Sequence, residues 1–147
     1  MPPVAYHRMS DDEWQRFIRE PVRTGVLATT RTDGRPHAAP VWYDLDDDGT
    51  IVFNTGADTV KGHAVRRDGR ATLCVQDDQP PFSFVTIEGT TIWSDELAEV
   101  RAWATRIGAR YMGAERGEEY GARNGVPGEL VVRLAPTRVV GFAEMAD

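Results

Sequence analysis

Phe53-Asn54-Thr55-Gly56-Ala57-Asp58-Thr59-Val60-Lys61-Gly62-His63-Ala64-Val65-Arg66-Arg67 reads as the end of a strand, a short turn at Gly56 and a helix capped by Asp58 or Thr59. A helix start leaves backbone N–H groups without intrahelical partners, and the helix dipole makes that end attractive to an anion. Lys61, in the first turn, adds a full positive charge. It is the only lysine among 17 Lys+Arg residues, so a chain that otherwise uses arginine throughout places one compact, flexible ammonium here. A point-charge cation beside free amides suits a phosphate. A solvated first-turn side chain is the plainer reading of the same residue.

Upstream, residues 50–55 form the strand that feeds this junction. They follow a strand at residues 36–44 across an acidic turn of Asp44, Asp46, Asp47 and Asp48 that closes at Gly49. These aspartates read as turn formers, because no glutamate follows at the offset a calcium loop requires. A β-branched run at residues 22–31 leads into Asp33-Gly34, a hairpin signal, so three strands are expected as a meander. Before them, Ser10-Asp11-Asp12-Glu13 is a capping box, and Trp14, Phe17 and Ile18 share one helical face up to Pro21.

Downstream, residues 71–76 and 82–93 read as strands, separated by a loop holding Pro80 and Pro81. A helix capped by Ser94 carries Leu97, Val100, Ala104, Ile107 and Tyr111 on one face, a stripe suited to a core or an interface. Glycines at 113, 117, 121, 125 and 128 mark residues 113–128 as a mobile loop. Strands at 129–134 and 138–142, joined at Ala135-Pro136-Thr137, complete one domain over residues 1–147. The fold class is mainly β (α+β), an antiparallel barrel of six to seven strands with two to three flanking helices. A doubly wound parallel sheet is disfavoured, because only one strand–helix–strand passage occurs and no GxGxxG follows a strand.

A net charge of −6 without a basic stripe argues against a nucleic-acid partner. No apolar run approaches the roughly 20 residues that cross a bilayer, and residues 1–8 lack an apolar signal core, so a soluble protein with no membrane partner is expected. The lone Cys74 cannot form an internal disulfide and reads as a small buried hydrophobe in a reducing cytoplasm. His7, His37 and His63 lack a nucleophile in an elbow context, with His7 placed in a frayed tail. One cysteine, no HExxH and no paired histidines give no metal site.

The series Gly25-Val26-Leu27-Ala28-Thr29, Asp33-Gly34-Arg35-Pro36, Val41-Trp42-Tyr43, Phe53-Asn54-Thr55, Thr59-Val60-Lys61-Gly62 and Arg67-Asp68-Gly69-Arg70-Ala71-Thr72 resembles, in order and spacing, the flavin-binding split β-barrel family of pyridoxamine 5′-phosphate oxidase. Within it the chain is most similar to the coenzyme F420 (deazaflavin) dependent reductases. The resemblance implies a homodimer with two cofactor sites at the subunit interface and a small-molecule substrate. It places Thr55 by the ring or ribityl portion, has Thr59 donate its hydroxyl to the phosphate and has Lys61 neutralise it. Pro40, Val41 and Trp42 would contact the ring, on a strand paired with residues 50–55. His63, Arg66 and Arg67 would reach the phosphate or tail, or equally lie on solvated helix faces.

The chain departs from the oxidases in carrying Thr59-Val60-Lys61 where they have Ser-Arg-Lys, in lacking their extra basic residue between Ala38 and Val41, and in showing no substrate-arginine motif at residues 133–142. Fewer positive charges favour F420 over FMN as the cofactor. Three readings follow: a reductase passing hydride from reduced F420 to a small organic acceptor, an FMN-dependent oxidoreductase, or a deazaflavin-binding protein without turnover. No catalytic residue is assigned, although Tyr111 and Tyr120 are candidate proton donors. The pocket wall is expected from Trp14, Phe17, residues 113–128 and the partner subunit.

Overall fold

The computed structural model describes residues 6–146. Part of the N-terminal stretch read for a signal core, residues 1–5, lies outside them. Eight antiparallel strands form one curled sheet: β1 (His7–Arg8), β2 (Gly25–Thr30), β3 (Pro36–Val41), β4 (Asp44–Leu45), β5 (Ile51–Gly56), β6 (Arg70–Asp77), β7 (Ser83–Ser94) and β8 (Glu129–Ala143). Four α-helices accompany it, α1 (Asp11–Arg19), α2 (Val60–Asp68), α3 (Leu97–Met112) and α4 (Gly117–Asn124), with a 3₁₀ turn at Ala114–Arg116. His7 is no frayed tail, since β1 pairs with the end of β8 and the His7 Nε2 lies 2.7 Å from Glu13 Oε2.

The strand order is β3-β2-β6-β7-β8-β5-β4, which corrects the expected meander. Among the described residues β3 pairs only with β2, while β5 pairs with the two-residue β4 and with β8. The acidic turn forms as expected: Thr50 N–H donates to Asp48 Oδ1 at 2.9 Å. Its carboxylates then reach across to basic side chains, Asp46 to Arg133 at 2.6 Å and Asp44 to Arg106 and Arg110.

β8 is a single strand where two were expected. Opposite it, the register shifts between Glu88 and Gly89, which face Arg138 and Pro136 and leave Thr137 as the extra residue of a bulge. Pro136 has no N–H to give a ladder, and a bulge is where a strand tolerates it. The Thr137 hydroxyl donates to Glu88 O at 3.1 Å, so pairing continues past the defect.

The barrel interior is filled by alternate residues of the strands, with Leu27, Phe53, Leu73, Ile87, Leu130 and Leu134 almost wholly excluded from solvent. α1 forms its capping box through Ser10 and Glu13 and closes one end, burying Ile18, with Trp14 and Phe17 packed against the core. Tyr43, fully buried, donates its hydroxyl to Ile18 O at 2.6 Å, which locks this helix to the barrel. Cys74 is only half-buried, because it lies on the alternate set of β6 positions from Leu73 and Val75.

α3 is capped by Glu96, not Ser94: its carboxylate accepts from the amides of Ala98 and Glu99. The helix lies on the outside of β5 and β8, where Val100 and Trp103 cluster with Val52 and Val131. Of the expected stripe, Val100, Ala104 and Ile107 are buried, and Leu97 is exposed.

The segment 113–128 is not a loop. Gly117, Gly121 and Gly125 lie four apart on α4 or at its end and face α3. A Cβ on Gly121 would sit 1.9 Å from Thr105 Oγ1, and one on Gly125 2.6 Å from Arg101 Cα. The glycines are therefore the contact surface of a close helix pair rather than hinges.

Candidate functional site

β5 ends in the junction from which the site is built. Thr59 is the N-cap of α2: its Oγ1 accepts from Gly62 N at 3.0 Å and donates to Gly56 O at 2.7 Å. Thr55 Oγ1 lies 3.1 Å from the same hydroxyl. Gly62 is required by close approach, since a Cβ there would meet Gly56 O at 2.1 Å. Among the described residues, the amides of Val60 and Lys61 make no backbone bond outside the helix, which leaves two donors at the positive end of the helix dipole.

A cleft of about 340 Å³ opens beside this junction. Asn54, Thr55, Gly56 and Lys61 form one wall, and Pro40, Val41 and Trp42 form another at the end of β3. Ala104, Ile107 and Gly108 of α3, with Asn124 at the end of α4 and Glu129 at the start of β8, complete it. The Asn54 amide donates to Val100 O at 3.3 Å and Leu130 O at 3.4 Å, tying the β5 wall to α3 and β8. The Trp42 indole stacks on Tyr111 with centroids 4.8 Å apart and planes 4° from parallel, and meets Tyr120 at 5.8 Å.

Of the residues singled out from the sequence, Pro40, Val41, Trp42, Thr55 and Lys61 line this one cleft. They meet although β3 and β5 do not pair, so the ring platform expected on a strand hydrogen-bonded to β5 arises instead from the curl of the sheet. Thr59 supports the junction with its hydroxyl committed to the cap.

Three basic candidates do not line the cleft. His63 is exposed on α2, with Nδ1 3.4 Å from Arg66 Nη2. Arg66 folds back on the carbonyls of Gly62 and Ala57. Arg67 pairs with Asp68 and donates to Thr30 O. Trp14 and Phe17 belong to the α1 packing, and residues 113–128 contribute Asn124 to the lining.

Tyr111 is a structural group: its hydroxyl donates to Arg23 O at 2.7 Å and accepts from Tyr43 N at 3.1 Å, and burial raises its pKa. The Tyr120 ring is buried against α3, with its hydroxyl 3.4 Å from Arg116 Nη2. Sequence reasoning missed Glu129. Nothing local marks a glutamate that follows Gly128 at the start of a strand, and only the β5–β8 register places it opposite Gly56. Burial raises the Glu129 pKa, and the charge of Lys61 works in the opposite direction.

Comparison with known proteins follows the same architecture. Among curated proteins, none matches the sequence significantly. The conserved hypothetical protein Rv2991 from Mycobacterium tuberculosis superposes with a TM-score of 0.80 at 26% identity, over 99% of this chain and 91% of its own. A structure described as an F420 reductase superposes with a TM-score of 0.67 at 20% identity, over 84% of this chain and 94% of its own, a likeness of fold. A heme binding protein from Mycobacterium smegmatis gives 0.65 at 27% identity, over 90% of this chain and 54% of its own. The sequence profile of the family described as pyridoxamine 5′-phosphate oxidase matches residues 10–142, from the cap of α1 to the end of β8. The chain therefore belongs to the pyridoxamine 5′-phosphate oxidase family of flavin-binding oxidoreductases.

Proposed function

We propose that this chain is a deazaflavin-dependent oxidoreductase that holds coenzyme F420 in the cleft between β3, β5 and α3 and reduces a small organic acceptor. The observation that carries this reading is that one cleft joins the ammonium of Lys61, next to two free helix-start amides, to the platform at Pro40, Val41 and Trp42. Lys61 has no hydrogen bond or salt bridge among the described residues, so its charge is available to an anion. Among the described residues β3 is the terminal strand of the sheet path, so backbone groups on its outer side could meet the edge of a flat ring system. The donor set fits a group with one anionic end and one planar end.

When bound, reduced deazaflavin would supply hydride chemistry toward an electron-poor C=C or C=N bond. The work of this chain is to bind, orient and exclude water. Lys61 and the Val60 and Lys61 amides would hold the anionic end, while Trp42, braced by Tyr111, would set the position of the ring. Ala104, Ile107 and Gly108 keep the opposite wall small and apolar. The Tyr111 hydroxyl is committed to Arg23 O and Tyr43 N, so it braces the site rather than giving the proton.

The protein works in this reading as a cytoplasmic homodimer with the cleft at the subunit interface. A second reading, FMN as the cofactor, is favoured by the family match over residues 10–142.

Fluorescence titration of cofactor-free protein with oxidised F420, and separately with FMN, tests the assignment. A Kd of about 1 μM or tighter for F420, worth roughly 8 kcal/mol, with weaker FMN binding is the expected result. Oxidation of reduced F420 by a panel of activated alkenes and imines would then establish turnover. Tight FMN with weak F420 would move the chain to the FMN reading, and binding of neither would overturn both.

A further inference from the structure

The cleft contains a feature that an anion site alone does not explain. Its ionisable lining residues are one lysine and one glutamate, Lys61 and Glu129. The β5–β8 register sets Glu129 opposite Gly56, and Ala57 N donates to Gly128 O at 2.8 Å, so the turn and the start of β8 are held together. Glu129 Oε2 lies 3.5 Å from where a Gly56 Cβ would be, over the turn that leads into α2. That oxygen is shielded from solvent and has no hydrogen-bond partner among the described residues. Among the described residues no salt bridge closes between Glu129 and Lys61, although the charge of the lysine acts on the carboxyl. A buried, unsatisfied carboxylate oxygen is costly and calls for a reason.

Resting on the reading of this cleft as the cofactor site, we propose that Glu129 is a specificity residue that limits the charge the anion end accepts, admitting a singly charged phosphodiester and disfavouring a doubly charged phosphate monoester. A phosphate monoester carries close to two negative charges near neutral pH, whereas a diester carries one. Lys61 can compensate one negative charge. A second must face the Glu129 carboxylate in a partly desolvated cleft, where like charges repel strongly. F420 is joined to its tail through a phosphodiester, and FMN ends in a monoester. The same two side chains therefore favour the first and reject part of the charge of the second. Rejection of a competitor by a like charge is a common route to selectivity.

The test measures binding of F420, FMN and riboflavin, which has the FMN ring and no phosphate, to the wild-type chain and to Glu129→Gln. FMN affinity is expected to rise about tenfold in the variant, the effect of one relieved like-charge contact. F420 affinity should change less than about threefold and riboflavin not at all. Glu129→Ala removes the same charge with a different shape and should give the same FMN-to-riboflavin ratio; melting curves confirm that each variant folds. An unchanged FMN-to-F420 ratio, or a riboflavin gain that matches the FMN gain, overturns the role of Glu129 and leaves the cofactor reading standing. Failure of wild type and variants alike to bind either cofactor overturns that reading, and this inference with it.

Discussion

Lys61 and Glu129 are the two charges in the cleft, and each supports a separate prediction. Replacing Lys61 by Ala is expected to weaken F420 binding by about 1–3 kcal/mol, the range for charge-assisted contacts. Titration at low salt reads this directly, and unchanged affinity would remove Lys61 from the site. Burial holds the Glu129 pKa above the ordinary glutamate range. The folded chain then binds this proton more tightly than the unfolded chain, so stability falls as pH rises from the ordinary glutamate value through the raised one. Glu129→Gln removes that loss: its Tm should exceed that of the wild type at pH 8, and the gap should close by pH 4. Tyr111→Phe deletes a hydroxyl that both donates and accepts. The expected cost is about 1–3 kcal/mol of folding stability, read by urea denaturation.

At the scale of elements, the α2 junction and the α3–α4 pair depend on small residues for different reasons. Thr59→Ala removes an N-cap that satisfies Gly62 N, with an expected cost of about 1 kcal/mol. Gly121→Ala adds a methyl where Thr105 Oγ1 already sits, and overpacking of this kind costs roughly 1–3 kcal/mol despite the better helix propensity of alanine. Thermal melts of the two variants should show the larger loss for Gly121→Ala; a stabilised Gly121→Ala would refute close packing of α4 on α3. Glycine by itself signals a loop, but glycines at 117, 121 and 125 repeat at four-residue spacing, the period of one helix face. That period was readable in the sequence, and the composition masked it. The β8 bulge was not readable, since Pro136 is compatible with either a break or a defect, and only the β7 partner residues distinguish them.

For the whole molecule, the proposed homodimer has a surface to form on. Cross-strand partners Pro40, Val26, Cys74, Thr86 and Val140 make one largely apolar row across β3, β2, β6, β7 and β8, and Val26 remains 43% exposed. Pro40 also lines the cleft, so a subunit covering this row would border the proposed cofactor site. Light scattering should give twice the chain mass of 16.3 kDa, and Val26→Arg should shift the protein toward monomer and weaken F420 binding. A dimer indifferent to Val26→Arg would place the interface elsewhere.

Local physics made several features legible along the chain: the α1 capping box, the Asp33-Gly34 hairpin, and the strand–turn–helix at Gly56–Lys61 with its lone ammonium. Each depends on contacts within a few residues. Strand order, the meeting of residues 40–42 with 54–56 at one cleft, the turning away of Arg66 and Arg67, and the placement of Glu129 beside Lys61 depend on contacts between residues far apart in sequence. Strand pairing and sheet curl decide those contacts, so they emerge only once the chain has folded.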